Sequence, residues 1–102
     1  MVIEWLKFQV DLERREEFIQ KDMEIWTPVL AQSPGFLAKE VWINPDSPAE
    51  VIFVIHWASH EQWKSVSQKL LDETEQRFAE AMGNSYQMLE SQEYQVRKFP
   101  HL

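Results

Sequence analysis

The chain contains no cysteine, which excludes disulfides, a thiolate nucleophile and thiolate metal sites. Glycine is almost as scarce: Gly35 and Gly83 are the only two, and each falls where a helical pattern ends. A phosphate-cradling loop needs several glycines in close spacing, so none is present. Lys and Arg number ten against seventeen Asp and Glu, a net charge of −7. That balance disfavours nucleic acid, whose backbone is bound by clustered basic residues, and reads as a solubility feature. No apolar run approaches the length of a bilayer span. Met1 leads directly into a strand pattern with acidic Glu4 and no signal peptide is visible, so a cytoplasmic protein without membrane contact is expected. His60 and His101 read as solvated, and no spacing of ligating residues supplies a metal site. No cofactor is expected.

What is present is organised around Pro34 to Trp57. Two runs rich in β-branched and aromatic residues flank a turn-rich patch, Asn44 to Ala49, which is a hairpin signal. The second run, Val51 to Ile55, is five apolar residues without a polar break. A strand with one wet face alternates; this one does not, so both of its faces require cover.

The remaining elements follow in order. Val2 to Val10 reads as a strand with Val2, Leu6, Phe8 and Val10 on one face, Glu4 among them, and Ile3, Trp5, Lys7 and Gln9 on the other. Asp11 is a plausible N-cap. From Leu12 the period turns helical, with Ile19, Met23, Trp26 and Leu30 on one stripe and Phe18, Ile25 and Val29 beside it. Pro28 removes one backbone donor and clashes with the carbonyl of residue 24, so a kink, or a restart capped by Thr27, is expected there. Gly35 stops the helix. Ser59-His60-Glu61-Gln62 is a candidate capping box for a short helix through Val66. Ser67 caps a further helix with the stripe Leu71, Thr74, Phe78 and Met82. Tyr86 to Phe99 is the last strand pattern, with Tyr86, Met88, Tyr94 and Val96 on one face and a polar middle suited to a sheet edge.

The order strand, helix, strand, strand, helix, strand is a split βαβ plan. It predicts an α+β, ferredoxin-like domain over residues 1–102, with a four-stranded antiparallel sheet and helices on one face. The second sheet face has nothing in the chain to cover it. A homodimer through that face is the expected solution.

The chain resembles the dimeric α/β-barrel superfamily, and within it the antibiotic-biosynthesis-monooxygenase-like proteins. The resemblance is carried by Pro34-Gly35-Phe36 at the start of the second strand, and by Trp57-Ala58-Ser59 followed by Glu61-Gln62-Trp63 after the third. It implies a homodimer whose two sheets face each other, with a small molecule held between sheet and helices or inside the barrel. The catalytic residues of the haem-degrading branch do not carry over: Leu6, Val66 and Gln76 occupy those positions, and none has the required chemistry.

His56 is the sharpest candidate, a histidine in the apolar third strand on the face of Ile52 and Val54, able to serve as a general base or ligand contact. Glu4 and Glu40 stand among apolar neighbours, where a raised pKa would let them move protons. Trp5, Trp42, Trp57, Trp63 and Trp26 could line a pocket for a flat ligand, with Tyr86 beside them. Each has a structural reading that is commoner for its type. These are an interface histidine, ion pairs with Lys7, Lys39 or His56, and core aromatics. Ser59 has no evident base partner and reads as a cap. Two functions remain open: a small-molecule-binding or cofactor-independent monooxygenase or isomerase domain, and a non-catalytic structural or regulatory dimer. An enclosed cavity with converging polar groups would favour the first.

Overall fold

The structure is a computed structural model that describes residues 1–99. Its elements are β1 (Val2–Val10), a 3-10 turn (Leu12–Arg14), α1 (Arg15–Ala31), β2 (Phe36–Asn44), β3 (Ser47–Trp57), α2 (His60–Lys64), α3 (Gln68–Met82) and β4 (Tyr86–Gln95). The sheet is antiparallel, in the order β2-β3-β1-β4. The long apolar strand β3 therefore sits inside the sheet, and the polar β4 lies at an edge, as its composition requires.

The hairpin turn is tighter than the turn-rich patch foretells. Pro45 and Asp46 alone connect β2 to β3, with Asn44 opposite Ser47. The side-chain oxygen of Asn44 accepts from Asp46 N at 2.9 Å, an Asx turn that pins the register. At the other end of β2, Gly35 adopts φ +90, a left-handed conformation open to glycine at little steric cost.

One sheet face packs on α1 and α3. Phe8, Val10, Val51 and Phe53 meet Phe18, Phe78 and Met82 there, and Val2, Ile55 and Trp57 pack with Leu30. Phe18 and Phe53 stack with centroids 5.6 Å apart, and Phe78 meets Phe18 edge-on at 5.3 Å, geometries that add to simple burial. The opposite face carries no helix. By register it holds Ile3, Trp5 and Lys7 of β1, Ile52, Val54 and His56 of β3, Glu40 and Trp42 of β2, and Glu90, Gln92 and Tyr94 of β4.

Four expectations need correction. α1 runs through Pro28 without a break or restart; Pro28 and Glu24 are both exposed, so water can take the carbonyl that loses its partner. Within α1 the inward positions are Phe18, Asp22 and Leu30, while Met23 is 56% exposed. Asp11 makes no side-chain cap; its amide instead donates to Ser85 O at 2.8 Å, tying the start of the helical segment to the start of β4. Finally, β4 ends at Gln95, and Tyr86 and Tyr94 do not share a face. An irregularity opposite Lys7 and Phe8 adds Leu89 to β4 between partners Glu90 and Met88. A one-residue bulge reverses the side-chain alternation beyond it. The other caps form: Ser59 Oγ accepts from Gln62 N at 3.1 Å and Ser67 Oγ from Leu70 N at 3.2 Å.

Candidate functional site: an acid-lined pocket between sheet and helices

Between the helix-bearing sheet face and the helices lies a pocket of about 650 Å³, within the range of small-molecule sites. Its floor is Glu4, Leu6, Ile55 and Trp57, and Trp26, Trp63 and Val66 enclose it from the helical side. The pocket exists because these helices are short of bulk where they cross the sheet: α2 is five residues long, and α1 presents Asp22 where a large apolar side chain would fill the space.

Glu4 is the carboxylate on the floor. The indole Nε1–H of Trp57 donates to Glu4 Oε1 at 3.1 Å, fixing one oxygen. Burial raises the Glu4 pKa above its ordinary 4.5; the Trp57 bond and the charges of Lys39 and Lys64 oppose that rise only in part. Across the pocket, the Lys39 ammonium lies 2.7 Å from Asp22 Oδ1 and 2.6 Å from Oδ2, with both side chains at or below 5% exposure. Only the Oδ1 contact is a directed hydrogen bond; Oδ2 has the ionic contact without one. Lys39 also reaches Thr27 Oγ1 at 3.4 Å and stands 4.6 Å over the Phe53 ring. Burial pushes the Asp22 carboxyl up and the Lys39 ammonium down, each against the attraction of its partner. At the rim, the Tyr86 hydroxyl donates to Glu75 Oε1 at 2.6 Å; burial, then that carboxylate, raises the phenol pKa.

The sequence candidates divide between the two sheet faces. Glu4, Trp63 and Tyr86 line the pocket, together with Trp57 and Trp26. His56, Glu40, Trp5 and Trp42 stand on the helix-free face, so they do not join Glu4 in one site. There, His56 Nε2 is 2.7 Å from Glu40 Oε1, and Trp42 Nε1–H donates to Glu40 Oε2 at 3.4 Å. The His56 bond, with Trp42 second, holds the Glu40 carboxyl below its ordinary value. His60 is not simply solvated: its Nδ1 is 2.7 Å from Glu93 Oε2, linking α2 to β4. His101 lies outside the described residues. Among those residues no cluster of three His, Asp or Glu side chains is arranged to hold a metal ion, and no helix is long and apolar enough to cross a membrane.

Sequence reasoning missed Asp22 and the pocket role of Lys39. The signal was faint but present: Phe18, Asp22, Trp26 and Leu30 follow an i, i+4 spacing that puts Asp22 on the inward stripe, and Lys39 alternates inward with Val41 and Ile43.

The sequence profile of the antibiotic biosynthesis monooxygenase family matches residues 1–69, and the chain belongs to that family. No curated relative matches it. Among solved structures, it resembles a Bordetella bronchiseptica protein classed with the antibiotic biosynthesis monooxygenases (TM-score 0.74, 14% identity, 93% of this chain and 95% of that one). It also resembles SnoaB, a cofactor-independent oxygenase of Streptomyces nogalater (0.68, 16%, 96% and 94%). A third is the ActVA-Orf6 monooxygenase of Streptomyces coelicolor, solved with nanaomycin D (0.70, 12%, 98% and 92%). At these identities the likeness establishes the ferredoxin-like fold.

Proposed function

We propose that this protein is a homodimeric, cofactor-independent oxygenase that holds a flat, largely apolar aromatic molecule between sheet and helices, with Glu4 as general base. The observation that carries this reading is the pocket itself: about 650 Å³ lined by Trp26, Trp57 and Trp63, with a carboxylate of raised pKa on its floor. A non-catalytic dimer module has no need of such a space. Two of the structural neighbours named above are oxygenases, and this and the family membership support the same direction.

The chemistry asks little of the protein. Glu4 takes a proton from an activated C–H of the ligand, and burial keeps its proton affinity closer to neutrality than an exposed carboxylate's. The electron-rich anion reduces O₂ directly. For a methylene between two aromatic rings, two hydrogens leave, one oxygen atom becomes the new carbonyl and the other departs as water. The aromatic walls bind the ring system. The dimer forms through the helix-free face, where Trp42 and Tyr94 are 46% and 53% exposed in the single chain and Ile3, Trp5 and Ile52 lie between them.

The test is oxygen uptake with anthrone, whose reactive methylene lies between two benzo rings. Wild type is expected to consume one O₂ per anthraquinone formed, faster than buffer, with the excess rate lost in Glu4→Gln. Equal rates in protein and buffer would remove the oxygenase reading.

A further inference from the structure

We propose that Lys39 is a catalytic partner of Glu4: the ligand carries a carbonyl conjugated to its acidic C–H, and Lys39 receives the charge that Glu4 releases. This rests on the pocket assigned above. Its own basis is a cross-sheet row. Glu4 pairs with Ile55 from β1, and Lys39 pairs with the same Ile55 from β2. The two backbones therefore stand two strand spacings apart, roughly 10 Å, and both side chains line one pocket whose floor between them is Ile55. A ring system lying over Ile55 meets a carboxylate on one side and an ammonium on the other.

Lys39 is held for such a role. Its ammonium has three N–H bonds, and its directed acceptors are Asp22 Oδ1 and Thr27 Oγ1, both on α1. Asp22 Oδ2 also lies 2.6 Å from the ammonium, so a ligand oxygen takes an N–H in place of the long 3.4 Å Thr27 contact. Lys39 is also the single cation among the described residues lining the pocket, against the carboxylates of Glu4, Asp22, Asp72 and Glu75. A ligand that enters as a carboxylate meets net repulsion, whereas a neutral ketone meets a donor at one end and a base at the other.

The step balances without a co-reactant. The C–H bond breaks, the proton moves to a Glu4 oxygen, and the electron pair delocalises to the carbonyl oxygen, which becomes an enolate held by Lys39. Asp22 and Lys39 stay an ion pair, so the net charge inside the pocket is unchanged; one negative charge has moved from Glu4 to the ligand. The reverse step returns a proton from Glu4. Stabilisation of such an oxyanion by a fixed donor in a dry site is a large catalytic effect.

The experiment is anaerobic. Anthrone has its acidic methylene across the central ring from its carbonyl oxygen, and dihydroanthracene has the same shape without oxygen. Wild type is expected to exchange the anthrone methylene with deuterium oxide faster than buffer does, read by mass spectrometry. Glu4→Gln should lower that exchange by roughly 10²–10⁴-fold. Lys39→Met alone strands the Asp22 charge, so the paired variant Asp22→Asn/Lys39→Met is used, with circular dichroism verifying the fold. It should exchange roughly 10²–10³-fold more slowly than wild type. Quenching of tryptophan fluorescence gives the second readout: wild type should bind anthrone more tightly than dihydroanthracene, and the paired variant should bind both alike. A folded paired variant that exchanges at the wild-type rate would overturn the role of Lys39, as would a wild type that does not distinguish the two compounds. Either result leaves the oxygen-uptake assay free to support the oxygenase reading. Failure of both compounds to bind removes the two proposals together.

Discussion

The His56 imidazole and the Glu40 carboxylate meet at 2.7 Å on the sheet face that carries no helix, with Glu40 half exposed. Two of the three polar candidates in the sequence thus answer to each other across strands and not to the pocket. His56→Ala is expected to leave anthrone oxidation within about twofold of wild type, because it contacts nothing in the pocket. It should weaken self-association instead, measured by sedimentation. The Glu40 carboxyl is held below its ordinary 4.5, so its contribution is present above that value and lost as pH falls through the lower, folded value. The fold should therefore lose stability in acid, and less steeply in Glu40→Gln, read by thermal melts.

Phe53 and Val54 test the two faces separately, since Phe53 packs in the helix-side core and Val54 pairs with Trp5 and Glu40 on the other face. Phe53→Asp should unfold the domain: truncating a core Phe alone costs about 3–5 kcal/mol, and an unpaired buried charge adds to that. Val54→Asp should lower the melting temperature, since Val54 is 3% exposed in the single chain, but keep the far-ultraviolet circular dichroism spectrum and yield a monomer at micromolar concentration. The dimer reading fails if wild type itself sediments as a monomer.

Glu4 is expected to cost stability. Its folded pKa lies above the ordinary 4.5. Below 4.5 both states bind the proton, and the group's favourable contribution is fully present; it is lost as pH rises through the folded value. Glu4→Gln keeps an acceptor for the Trp57 indole and carries no charge. It should melt near the wild-type temperature in acid and above it at neutral pH, while losing oxidation. A variant less stable at neutral pH would show that the carboxylate is a structural anchor.

Pro28→Ala restores the donor for the Glu24 carbonyl in a helix that is already continuous. An interior proline costs about 3 kcal/mol against alanine, offset by about 1 kcal/mol of unfolded-chain entropy. The expected gain is on the order of 1–2 kcal/mol in urea unfolding.

The strand order, the inserted helices and most of the core were legible because β1 and β3 announce their faces through alternation and apolar continuity. Ser59 and Ser67 cap helices where their sequence places them. The site was legible only in part. Glu4 stood out as a charge on an apolar face, but nothing local says that β3 puts Glu4 and His56 on opposite sides; that follows from the Ile3–His56 register. Asp22 was hidden because one acid on a charged helix looks solvated until Lys39 is brought beside it from β2. The bulge at Leu89 has no local signature either, and strict alternation alone puts Tyr86 and Tyr94 on one face.

Gly35 sets a geometric tolerance for the pocket. A Cβ at this position would lie 2.5 Å from Gln62 Cβ and 2.6 Å from its Oε1, and Gly35 O accepts from Ala58 N at 2.7 Å. The short helix α2 is therefore seated directly on bare backbone, and the next residue along it is Trp63, which forms a pocket wall. Even one methyl group there would lift α2 as a plank is lifted by a pebble, and the aromatic wall would move with it. The dimensions of the pocket are thus set partly by a residue that does not line it.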